Sequence, residues 1–64
     1  MDLEERLYEC GVLLTYLPDD RLEPARRALA EIERRKDEPG YDADAAITRW
    51  MRAAERAALE RKRG

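Results

Sequence analysis

The chain contains no histidine, serine, asparagine, glutamine or phenylalanine, and only one cysteine. Its hydroxyls and thiol are confined to Thr15, Thr48, Tyr8, Tyr16, Tyr41 and Cys10. General acid–base catalysis near neutral pH ordinarily uses histidine, or a carboxylate or lysine moved far from its usual pKa by burial. Nucleophilic catalysis needs a nucleophile beside a base, and Cys10 has no histidine to activate it. These absences argue against an enzyme. The usual zinc-ligand sets are missing as well, and a lone cysteine cannot form an internal disulfide. Asp37, Glu38, Asp42 and Asp44 flank a turn, but their spacing does not fit a twelve-residue calcium loop. No metal and no cofactor is expected.

There is also no apolar run of the roughly 20 residues that a membrane span requires. Residues 1–10 carry four acids and one arginine, the opposite of a signal-peptide n-region. The expected setting is cytoplasmic, with Cys10 reduced and acting as a small buried hydrophobe. Arginine outnumbers lysine eleven to two and alanine is abundant, which points to a GC-rich bacterial genome.

What is present is a small, charged, alanine-rich chain of 64 residues, read as a single domain, 1–64. Ten of its 28 apolar residues are alanine, so the core has few large side chains. A chain of this size buries only about 60% of its unfolded surface. With disulfide and metal excluded, self-association is the remaining way to stabilise it, and an oligomer is expected.

Hydrophobic spacing predicts an all-α protein, a helical hairpin plus a third helix, over residues 2–17, 20–36 and 42–62. In the first segment Leu3, Leu7, Cys10, Leu14 and Leu17 recur at intervals of three and four, which places them on one stripe. Gly11 interrupts this helix, either as a local kink or as a point where another backbone comes close. Pro18 ends the helix, Asp19 or Asp20 serves as the next cap, and Pro24 suits a first turn. Leu22, Ala25, Leu29 and Ile32 form the second stripe. Around it Glu23–Arg27 and Glu31–Arg35 stand at the favourable i,i+4 spacing. Pro39-Gly40 marks the second break, and Asp42 is the expected cap of the third helix. Ile47, Trp50, Met51, Ala54, Ala57 and Ala58 form its apolar face.

Two surfaces are candidates for function. Tyr8, Val12, Leu13 and Tyr16 lie off the first stripe, so residues 7–17 are apolar nearly all round. A helix of that kind is expected to be covered on all sides. Either it is the central helix with its tyrosines reaching solvent, or one face meets another subunit or a partner. Tyr8, Val12, Leu13, Tyr16 and Trp50 are therefore the expected interaction surface. The second candidate follows from charge. Residues 1–20 carry six acids against Arg6, and residues 45–64 carry six bases against Glu55 and Glu60. Arg49, Arg52, Arg56 and Arg63 fall along one side of the third helix. Such a stripe can grip phosphates, with Trp50 stacking on a base. The net charge of −2 favours a solvated face or pairing with the acidic first helix.

The stretch Leu17-Pro18-Asp19-Asp20-Arg21-Leu22, followed by Leu29 and Ile32, resembles the entry to an amphipathic helix in small bacterial antitoxin-like proteins. The resemblance covers residues 14–36 and implies a segment that wraps a toxin; the DNA-binding half of such proteins has no counterpart here. The resulting expectation is a non-enzymatic protein–protein interaction module, regulatory, inhibitory or adaptor in role. An antitoxin or a phage-type inhibitor of a host enzyme fits this class. Nucleic-acid binding through the arginine stripe is the alternative.

Overall fold

Each apolar stripe becomes one helix. The computed structural model describes residues 2–63, with side chains through Glu60. Within it, α1 spans Leu3–Leu14, α2 Asp19–Arg35 and α3 Ala43–Arg63. No strand occurs among the described residues.

α1 ends three residues before the expected residue 17. Leu17 precedes Pro18, and proline pushes the residue before it out of helical geometry. The chain prepares for this by tightening. The amides of Thr15, Tyr16 and Leu17 donate to the carbonyls of Val12, Leu13 and Leu14 at 3.1, 3.0 and 3.3 Å, the i→i−3 pattern of a closing turn. The Thr15 hydroxyl adds a 2.7 Å bond to the Val12 carbonyl. The turn leaves Leu17 buried in the core.

The start of α2 also differs from expectation. Pro18, extended at φ −68° and ψ 155°, is its cap residue, and its carbonyl accepts the amides of Arg21 and Leu22 at 2.9 and 3.0 Å. Asp19 and Asp20 are therefore not caps. They occupy the first turn, where the helix dipole favours negative charge. Pro24 lies inside the helix, past its first turn, so the amide it lacks is one the helix would have used. Its ring faces solvent. Asp42, by contrast, is the cap of α3: its Oδ1 accepts the Ala45 amide at 3.0 Å. Gly40 turns the chain at φ 82°, a left-handed conformation natural to glycine. The Arg35 guanidinium sits 4.4 Å from the centroid of the Tyr41 ring and covers this turn.

All three pairs of helices pack against each other. Arg6 of α1 reaches Asp44 and Thr48 at the start of α3, while Arg21 near the start of α2 reaches Glu60 near the end of α3. α1 and α3 therefore run the same way and α2 runs against both. At about 1.5 Å per residue, the 21 residues of α3 outrun the 12 of α1. α3 is the element along which the other two lie, so α1 is not a central helix.

The core joins Cys10, Leu17, Leu29, Ile32, Ile47, Trp50, Ala54 and Ala57, with Leu3, Leu7, Leu14, Leu22, Ala25 and Met51 packed around it. Ile47 and Cys10 are its fully enclosed members. Trp50 directs its indole Nε1–H to the Ala25 carbonyl of α2 at 2.8 Å. No backbone approaches Gly11: a methyl group built there meets nothing within 4 Å. Of its two readings, the close contact is overturned.

Two stability measurements follow. Leu29→Ala should lose about 2–5 kcal/mol in urea unfolding, the range for truncating a buried leucine. Gly11→Ala should gain about 0.5–1 kcal/mol, since it improves helix propensity in open space. A loss at Gly11 would show that its hydrogen fills a role the surrounding space does not reveal.

Candidate interaction surface

The charged side chains decide which surfaces are left open. α2 satisfies most of its charges locally: Arg26 and Arg27 pair with Glu23, Arg34 with Glu31, and Arg35 with Glu38 beyond the helix end. The expected Glu31–Arg35 pair is thus replaced by Glu31–Arg34, whose guanidinium holds the Glu31 carboxyl below its usual pKa range. Such exposed pairs add little stability, but they occupy the charges.

Between α1 and α3 the pairing runs opposite to the net charges of the two helices. Arg6, the base of the acidic segment, donates to the Asp44 carboxylate at 2.8 Å and to the Thr48 hydroxyl at 2.7 Å. The Thr48 hydroxyl in turn donates to the Asp44 carbonyl at 2.9 Å. The arginine stripe of α3 takes no part in this. Arg49, Arg52 and Arg56 are exposed, and among the described residues none has a carboxylate within 4 Å. Arg21 and Arg35, near the same side, are both paired. The side chain of Arg63 lies outside the described residues. For Arg49, Arg52 and Arg56, pairing with α1 within one chain is therefore overturned.

The acids of α1 are equally unpartnered. Glu4, Glu5 and Glu9 are exposed with no cation within 4 Å among the described residues. Glu5 stands one turn from Tyr8 and Glu9 one turn from Val12, spacings that bring side chains together on a helix surface. Tyr8 is 74% exposed, Val12 42% and Tyr16, in the closing turn, 56%. The outer face of α1 is thus an apolar strip edged by carboxylates.

Two members of the expected interaction surface belong elsewhere. Leu13 turns towards the core and packs on it. Trp50 is only 8% exposed, because its indole closes the α2–α3 contact and spends its N–H on Ala25. It is therefore not part of the α1 strip, and a ring so enclosed cannot stack on a nucleic-acid base.

Instead, one edge of Trp50 lies in a shallow groove of about 260 Å³ between α2 and α3. Leu17, Pro24, Ala25, Ala28, Ala53, Ala54 and Ala57 complete it, with Arg21 at its end. The groove was not read from the sequence, although its signal is there. Ala25 and Ala28 on one helix, and Ala53 and Ala57 on the other, are small residues one turn apart, and such pairs leave a depression where two helices meet. Arg49 and Arg56 stand four before and three after Ala53, so they share its side of α3. The groove is apolar along its floor and basic along its α3 edge.

No protein-family model, curated protein or solved structure matches this chain. Among the described residues no group of histidine, cysteine, aspartate and glutamate side chains is arranged to hold a metal ion, and no helix is long and apolar enough to cross a membrane.

Cys10 is fully enclosed. Burial pushes its thiol pKa up, against a smaller downward pull from Arg6. The folded chain therefore holds the thiol proton at a pH where the unfolded chain has released it. The unfolded state binds fewer protons there, so stability from this group is intact below the ordinary thiol range and falls as pH rises through it. A thiol reagent at neutral pH should label Cys10 slowly in native protein and rapidly in urea. Equal rates would show that the side chain is accessible.

Proposed function

We propose that this chain is a non-enzymatic protein–protein interaction module, regulatory, inhibitory or adaptor in role, acting in a bacterial cytoplasm through the outer face of α1. The observation that carries the proposal is the exposure of Tyr8, Val12 and Tyr16 in a strip edged by Glu4, Glu5 and Glu9. Tyrosine supplies a large contact area at low entropic cost, and apolar anchors in a polar rim are how helix faces bind. The resemblance of residues 14–36 to a toxin-wrapping helix also supports a protein partner. Here Leu29 and Ile32 are spent on the chain's own core, which leaves α1 as the face for binding.

One observation favours a second reading, nucleic-acid binding: three arginines in line on α3 with no acid partner among the described residues. Counterion release makes such binding steeply salt-dependent.

One comparison separates the two. Proteins that co-purify with the wild type should be lost with Tyr8→Ala, Val12→Ala and Tyr16→Ala combined, and kept with Arg52→Glu. Circular dichroism should show both variants as helical as the wild type. Retention of the same proteins by the α1 variant would overturn the proposal. Salt-sensitive DNA or RNA binding that the arginine variant abolishes would establish the alternative.

A further inference from the structure

The outer face of α1 and the α2–α3 groove are complementary in shape and in charge. One is a ridge: Tyr8 and Val12 project from a helix and are edged by Glu5 and Glu9. The other is a furrow lined by Ala25, Ala28, Trp50 and Ala53, with Arg49 and Arg56 one turn from Ala53 on the same side of α3. Neither set of charges finds a partner within 4 Å among the described residues of its own chain. We infer that the two fit each other across molecules, so that α1 of one copy docks in the α2–α3 groove of a second copy.

The inference rests on the reading of α1's outer face as adhesive, and it names the partner. The geometry also dictates the kind of assembly. No residue of α1 lines the groove, and all three helices pack on one another. The groove between α2 and α3 therefore opens on the side of the bundle away from α1's outer face. A surface that binds the opposite side of its own copy makes a head-to-tail contact, which continues from copy to copy instead of closing as a two-fold dimer. Alanines along the floor let the docking helix come close. Glu5 and Glu9 against Arg49 and Arg56 set its direction and orientation, as charge complementarity does at interfaces. One helix in one groove is a small contact, so assembly is concentration-dependent.

Head-to-tail docking has a test that a symmetric dimer cannot pass. Tyr8→Glu with Val12→Glu blocks the ridge and leaves the groove open, whereas Ala53→Arg fills the groove and leaves the ridge intact. All three positions are exposed, and circular dichroism checks that each variant remains folded. In sedimentation velocity the wild type should form species that grow with concentration, weakening roughly tenfold from low to high salt as exposed charges are screened. Each blocked variant should be monomeric alone. Mixed, they should form a one-to-one heterodimer that grows no further.

Assembly of the Ala53→Arg variant as in wild type would overturn the groove as the docking site. Blocked variants that fail to pair would overturn the head-to-tail contact. A wild type that stays monomeric at high micromolar concentration would overturn self-docking altogether. It would leave the reading of α1 as a surface for a different protein standing or falling on the co-purification alone.

Discussion

The Trp50 indole is the contact on which the arrangement of the other elements depends. It is the largest side chain in the core, and it carries a polar group that cannot be buried unpaired without cost. The Ala25 carbonyl on α2 supplies the partner at 2.8 Å, so α3 can meet α2 at only one height and rotation. With that contact set, Leu29 and Ile32 of α2 join the same core as Ile47 of α3. The alanines that follow, Ala54 and Ala57, let the start of α2 and Leu17 come close to the later part of α3. Ion pairing of Arg21 with Glu60 then falls at the far end of the same seam.

A three-helix chain with so few large side chains cannot cover every apolar face it carries. Cys10, Leu14 and Leu17 fill the space left beside the α2–α3 seam, and Leu13 joins them from the edge of that stripe. Tyr8, Val12 and Tyr16 then point outward. Their exposure follows from the position of α1 at the side of the bundle: a helix lying along one neighbour, with a second touching it, buries one stripe and leaves the other open.

Electrostatics follows the same division. α2 is built from local pairs, which neutralise its surface and suit a helix with one narrow buried face. Among the described residues, α1 and α3 hold an excess of opposite sign that finds no partner within 4 Å. Their one described ion pair, Arg6–Asp44, joins the minority charge of each, and Thr48 helps to hold it in place. The excess charges remain on the surface beside the apolar strip of α1 and the groove of α3. This gives two sides of one small molecule opposite charge.

Much of the fold was legible in the residues themselves. Three-and-four spacing of leucine, isoleucine and alanine determines three helices and their buried stripes, because a side chain's position around a helix depends only on its number. Pro18, Gly40 and Asp42 determine where the chain breaks and restarts, because proline geometry, positive φ and capping are local properties. What needed the tertiary structure were matters of which surface meets which. The cap of α2 passed to Pro18, because the carbonyl that faces the first amides comes from the turn that buries Leu17. Trp50 could have been an exposed anchor or a core residue on spacing alone, and only the Ala25 carbonyl across the seam decided between them. The arginine stripe could have been neutralised by the acidic helix. Among the described residues Arg49, Arg52 and Arg56 have no carboxylate partner, and for Arg49 and Arg56 the reason is that they stand on a different side of α3 from Asp44 and Thr48, where α1 packs.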